Sequence, residues 1–346
     1  MKRSGKIPRT LAAAFLLLAA AVSVRAQSSL QAEIKAFFIG TQNASDSIQS
    51  YLGHRTQVDE NLSLRVKWTW SKGPFDFTAH YLVAGRNGDT VALEPQLEHL
   101  FEAGGPAPAM PWWNLSRTIH AARQTEVTQR FDRFYAGYTG AHLVVRVGRQ
   151  ALTWGTGLVF HPMDLFNPFS PNAVDTEYKP GTDMLYGQWL FNSGSDLQGL
   201  VVPRRNSLTG RLEGGQASTA VKWHGAGARF QTDVMAAKHY GDKILGADVS
   251  GPAGGAAWSA GVVATRLQGG GTRVSWVANL RSAQTWAGKS TTLYVKTFTM
   301  GSARPAARIR SRLFPSLFGS GSFAGSCSTR DGTTWLLGRT SSGRRS

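Results

Sequence analysis

Leu62-Ser-Leu-Arg-Val-Lys-Trp-Thr-Trp70 alternates without a break: Leu62, Leu64, Val66, Trp68 and Trp70 share one parity, and Ser63, Arg65, Lys67 and Thr69 share the other. Successive side chains of a β-strand point to opposite faces, so this is a strand with one apolar face and one charged face. Behind Ser71-Lys-Gly-Pro74 the pattern resumes as Phe75, Phe77, Ala79, Tyr81 and Val83 against Asp76, Thr78 and His80, the return strand of a hairpin. Each strand is about as long as a bilayer is thick.

The same two-faced pattern recurs through most of the chain. Phe134, Ala136 and Tyr138 lead through Thr139-Gly-Ala141 to Leu143, Val145 and Val147, with His142 and Arg146 on the opposite parity. Leu185, Trp189 and Phe191 lead through Asn192-Ser-Gly-Ser-Asp196 to Leu197, Gly199 and Val201. Ala217, Thr219, Val221 and Trp223 alternate with Ser218, Lys222 and His224; past Gly225-Ala-Gly227, Ala228, Phe230, Val234 and Ala236 oppose Arg229, Gln231 and Asp233. Val274, Trp276, Ala278 and Leu280 against Arg273 and Ser275 carry the pattern on to about Val295. The expected fold is all-β, an antiparallel transmembrane β-barrel with about twelve or thirteen visible strands. A soluble sandwich or solenoid would alternate too. Three features favour the barrel: strands longer than soluble sheets use, aromatics near strand ends (Trp68, Trp70, Tyr138, Trp189, Trp223) as in an interfacial girdle, and a second face too charged to be buried in a core.

The N-terminus pairs a basic stretch (Lys2, Arg3, Lys6, Arg9) with an apolar run from Leu11 to Val24 and a small-residue site before Gln27. Residues 1–26 read as a cleavable secretory signal peptide, because the run is shorter than the roughly 18–20 residues of a spanning helix. No later segment is comparably apolar, so membrane residence would require a closed barrel. A net charge of +17 would ordinarily suggest nucleic acid. The charge sits at the two ends, however; residues 27–296 retain only +5, so no nucleic-acid partner is expected. The single cysteine, Cys327, excludes a disulfide framework.

Two stretches break the meander, Asn87 to about Thr125 and Gln150 to Asp183; loops this long are usually functional. In a barrel they would lie on the extracellular side or fold inward to narrow the lumen. From Thr297 the alternation stops and Arg, Ser and Gly dominate. Residues 299–346 are expected to be a disordered basic tail or the product of a reading-frame error, leaving the barrel of residues 27–298 incomplete.

Within the second stretch, Val147-Gly-Arg-Gln150, Trp154-Gly-Thr-Gly157, Phe160-His-Pro-Met-Asp-Leu-Phe-Asn-Pro-Phe169 and Glu177-Tyr-Lys-Pro-Gly-Thr-Asp183 resemble a group of porin-like Gram-negative outer-membrane proteins, most clearly over about residues 131–191. The resemblance implies an outer-membrane barrel, inserted by the barrel assembly machinery and surrounded by outer-membrane lipid. Members of such families end on a strand with a terminal aromatic, whereas this chain ends Gly343-Arg-Arg-Ser346.

No His-Glu-x-x-His, Gly-x-Ser-x-Gly, phosphate loop or spaced ligand cluster occurs, so neither an enzyme, a metal nor a cofactor is expected. What remains is the inward parity, where Arg65, Lys67, His80, His142, Arg146, Lys222, His224, Arg229 and Arg273 outnumber Asp76 and Asp233. Asp164, Asp175, Glu177 and Asp183 are expected to face the strand bearing Arg146 and Arg149, either as a charged constriction or as pins holding the loop to the wall. The expected function is passive diffusion of small hydrophilic solutes through an anion-preferring lumen. The alternatives are a non-channel barrel in surface polysaccharide export or assembly, and a secreted soluble β-protein binding ligand through its aromatic loops.

Overall fold

The structure is a computed structural model that describes residues 27–101, 110–155, 161–168, 178–286, 289–299, 327–330 and 333–342. The expected signal peptide lies outside the described residues. Among the described residues eighteen strands follow one another: β1 (Gln27–Gln42), β2 (Thr56–Lys72), β3 (Phe75–Gly88), β4 (Met110–Pro111), β5 (Ser116–Ala121), β6 (Thr125–Thr139), β7 (Leu143–Gln150), β8 (Thr182–Leu190) and β9 (Asp196–Val202). After them come β10 (Arg204–Arg205), β11 (Ser218–Ala226), β12 (Gln231–His239), β13 (Asp242–Ala253), β14 (Ala256–Arg266), β15 (Thr272–Trp286), β16 (Lys289–Thr299), β17 (Cys327–Arg330) and β18 (Thr333–Ser342).

Thirteen of these, from β1 to β16, form an antiparallel meander in which each strand pairs with the next one along; β5 lies beside β6, and β4 with β10 makes a small separate ladder. The hairpins fall where the alternation places them, with Trp70 opposite Phe77 across the first. β1, which the sequence reading does not single out, pairs with β2 over its whole length. Among the described pairings β1 meets only β2. Part of the tail, expected to be disordered or the product of a reading-frame error, is extended: Thr333–Ser342 pairs with β16 and Cys327–Arg330 with β18, in a Thr-Thr-Trp-Leu-Leu run rich in β-formers. The rest of the tail lies outside the described residues.

The two faces of the sheet invert the usual order of a soluble protein. Leu30, Ile34 and Phe38 on β1 are 71%, 72% and 73% exposed, whereas Arg65, Asp132, Arg149, Asp183, Lys222 and Asp248 are buried. Large apolar side chains facing outward over this many strands suit lipid and not water, and the ladder leaves their backbone groups satisfied.

The sheet curls around its own loop. Arg65 on β2 lies over the ring of Tyr178; Lys179 is paired with Asp164, and the neighbouring Met163 packs on Gly246 of β13. Eight strand spacings separate β2 from β13, about 38 Å along a flat sheet. Four loop residues bridge that interval only because the wall bends round them, which makes the charged face the inside of a barrel-like trough and the loop its filling.

The connections sort into two ends. Residues 73–74, 140–142, 191–195, 227–230 and 254–255 are short turns at one end, while 43–55, 89–124, 151–181 and 203–217 are the long connections of the other. The first long stretch is not a plain loop, since it contains a helix, Asp89–Phe101, that buries Leu93.

Candidate functional site

Three tethers hold the inward loop. The first is at the long-loop end of β7 and β8. Arg149 donates from Nε to Asp183 Oδ1 at 2.6 Å and from Nη2 to Asp183 Oδ2 at 3.0 Å, a bidentate pair of which the side chains are 6% and 1% exposed. Asp183 also accepts from the Trp113 backbone N–H at 2.8 Å, and Arg149 donates to the Trp113 carbonyl at 2.8 Å. The two long stretches therefore meet at one ion pair. Gly148 makes this possible: its φ of +128° is open to glycine alone, and a Cβ there would stand 2.2 Å from the Phe134 carbonyl oxygen.

The second tether is Tyr178. Arg65 and Arg133 stack over its ring at 3.6 Å and 4.7 Å, and its hydroxyl is hydrogen-bonded to His80. Burial raises the Tyr178 pKa to about 12, so the ring is a neutral phenol that offers its π-face to two cations. Arg65 is neutralised by Asp132 at 3.1 Å, which also accepts from Arg130 at 2.7 Å. Asp132 is aimed there because the register of β3 and β6 shifts between His80 and Tyr81, leaving Asp132 as the extra residue of a bulge. Lys67 pairs with Glu33.

The third tether is internal to the loop. Lys179 Nζ bonds both oxygens of Asp164 at 2.6 Å, the Leu152 carbonyl at 2.6 Å and Thr153 Oγ1 at 3.2 Å. Burial raises the Asp164 pKa and lowers that of Lys179, both toward the uncharged form, as expected of a pair held away from water. Below it the loop sits on an apolar patch of the inner wall: Trp154, Met163 and Phe166 pack with Met184, Leu200 and Met235. Each such burial contributes about 1.5–3 kcal/mol. Trp154 also donates to Gln198 at 2.7 Å, and Lys222, paired with Asp233 at 3.4 Å, approaches its ring.

Against the sequence expectations, several residues stand elsewhere. Asp164 does not face Arg146 or Arg149 but pairs with Lys179, because the loop doubles back on itself before reaching the wall. Arg229 is exposed in the turn between β11 and β12 and not inward, since β12 begins only at Gln231. His142 likewise sits in a turn, stacked on Trp189. Asp175 and Glu177 lie outside the described residues. Arg146 and Arg273 are inward and half-buried; Arg146 Nε is buried with no hydrogen-bond partner among the described residues. Trp68, Trp70, Tyr138, Trp189 and Trp223 all fall near the short-turn end of their strands.

Sequence reasoning missed Asp132, Arg133 and Arg204. Asp132 and Arg204, with Arg130, Arg149 and Asp183, line a recess of about 240 Å³ under the mouth. Arg133 is held by the Asp132 and Lys179 carbonyls at 2.7 Å and 2.6 Å, and Arg204 by Ser218 Oγ at 2.6 Å. Neither has a carboxylate partner in a salt bridge among the described residues; with three lining arginines against two aspartates, the recess carries net positive charge.

Neither a protein-family model nor a curated protein sequence matches the chain. Among solved structures it is similar to the P pilus usher (PapC) translocation pore, at 10% identity and a TM-score of 0.38 over 79% of this chain; the chain spans only 60% of the length of that pore. It is also similar to Pseudomonas aeruginosa OpdQ, at 11% identity and a TM-score of 0.38, covering 91% of this chain and 97% of that one. A loop-deletion form of OmpT, an outer membrane protein of Vibrio cholerae, matches at 8% identity and a TM-score of 0.34, covering 91% of this chain and 99% of that one.

Proposed function

We propose that this chain is a porin-like outer-membrane channel for small hydrophilic solutes, with the loop between β7 and β8 as its constriction and a preference for anions. The observation that carries the reading is the loop itself, seated inside a wall that is apolar outside and charged inside. A soluble sheet has no use for that inversion, and a purely structural plug has no use for arginines without acid partners beneath its mouth.

Anion preference rests on a different set of residues from the whole inward parity. Arg65, Lys67, Arg149 and Lys222 are each matched by a carboxylate, and a matched cation adds little net field. Arg133, Arg146, Arg204 and Arg273 have no such match among the described residues.

Single-channel recording in planar bilayers tests this. Stepwise conductance is expected, with a reversal potential in a KCl gradient that favours chloride. R146Q/R273Q is expected to shift that potential toward potassium, while R65Q, which leaves Asp132 with Arg130 as its salt-bridge partner, is expected to alter gating before selectivity. The absence of steps, or a reversal potential that R146Q/R273Q leaves in place, would overturn the proposal.

A further inference from the structure

On the outward face, register brings five side chains into one line. Thr219 of β11 is opposite Lys238 of β12, Lys238 opposite Lys243 of β13, Lys243 opposite Arg266 of β14, and Arg266 opposite Thr272 of β15. All five are donors, the three cations are exposed, and none of the three is in a salt bridge with a carboxylate among the described residues. The nearest acid in sequence, Asp242, accepts from the Gln268 N–H at 2.8 Å. Like charges directly opposite one another on adjacent strands destabilise a sheet. The register is nevertheless pinned, because Tyr240 and Gly241 close β12 onto β13 with φ of +52° and +99°, the signs of a type I′ turn.

Directly below this line, toward the middle of the wall, the outer face is hollowed. A groove of about 1080 Å³ crosses the strands there. Its floor is low because Gly187 and Gly199, paired across β8 and β9, present no side chain; a Cβ at Gly187 would stand in open space, and one at Gly199 would meet only the Ala220 carbonyl oxygen, at 4.0 Å. Ala236, Leu245 and Ala264 continue it up to the cations. The row stands at the end of the wall that bears the long connections, opposite the aromatic end. On β14 the interval from Trp258 to Arg266 is about 27 Å of strand, close to the apolar band of a membrane wall once tilt is allowed for.

We infer that this line and groove form a binding site for an acylated, phosphate-bearing lipid of the leaflet at the long-loop end, its phosphates on Lys238, Lys243 and Arg266 and an acyl chain in the groove over Gly187 and Gly199. The cations span two strand spacings, about 10 Å, which suits more than one phosphate oxygen set. An anionic headgroup removes the mutual repulsion that the protein's own side chains leave standing. The inference rests on the wall facing lipid and not on the lumen conducting, so it stands or falls apart from the conductance measurement.

The test is native mass spectrometry of the full chain in detergent with diphosphoryl lipid A as the probe, compared with its dephosphorylated form. Retention of the diphosphorylated lipid by the wild-type chain is expected, with K238Q/K243Q/R266Q weakening it about a hundredfold. Heat-modifiable migration on gels verifies that the variant is folded. A236W, which fills the groove and keeps every charge, is expected to weaken retention as well and serves if the triple variant does not fold. Equal retention of both lipid forms, or undiminished retention by the variants, overturns the inference.

Discussion

At Arg149 and Asp183 the balance of the mouth is decided by desolvation. Both side chains are almost wholly buried, and removing one member of such a pair strands the other charge in a low dielectric, at about 3–5 kcal/mol. D183L is therefore expected to destabilise the folded state by about that amount, read as a lower temperature for the folded-to-unfolded shift on gels. An unchanged temperature would mean that the pair is solvated and the mouth open. Gly181 tests the same neighbourhood sterically. A Cβ there would meet the Asp132 carbonyl oxygen at 2.1 Å, so G181A is expected to lift the loop from the wall and raise conductance. These pairings are only half legible in sequence. Arg149 and Asp183 stand out as charges on facing strands, but Asp132 cannot, because a bulge exists only relative to the partner strand that it opposes.

The loop between β7 and β8 behaves as an element with a fixed seat. Its own hub, Lys179 and Asp164, is a buried ion pair whose members both resist ionisation because of burial. Replacing such a pair by apolar side chains of similar size is often neutral or stabilising, whereas breaking it from one side is costly. D164L/K179M is thus expected to keep the loop seated and conductance close to wild type, while D164L alone, leaving the ammonium unmatched, is expected to produce noisy, larger openings. Comparable behaviour of the single and double variants would show that water reaches the hub. The strands around this loop were readable from period-two alternation, as Leu62 to Trp70 shows. The loop was not: Trp154, Met163 and Phe166 sit in irregular backbone, with no period to announce which way they face, and only the curvature of the sheet brings β9, β12 and β13 within their reach. Arg229 was misplaced for a related reason, since alternation continued past Gly227 in sequence where the backbone had already entered a turn.

The molecule as a whole is polar along its axis: aromatic side chains mark the short-turn end and the Lys238, Lys243 and Arg266 row marks the long-loop end. Rings such as Trp189 and Trp223 are 48% and 43% exposed, an unfavourable placement in bulk water for residues worth several kcal/mol when buried, but the preferred one at a headgroup boundary, where an apolar ring and a polar N–H are both accommodated. A barrel wall and a soluble sheet therefore differ in what quenches these rings. In vesicles containing lipids brominated beside the glycerol backbone, the fluorescence of the refolded chain is expected to fall more than with lipids brominated at the acyl-chain ends, and W189F/W223F should lose part of that difference, Trp68 and Trp70 keeping the rest. Trp154, 2% exposed inside the loop seat, should be indifferent to either lipid. Quenching that ignores bromine depth would place the rings in water or in a protein core and remove the membrane from the reading.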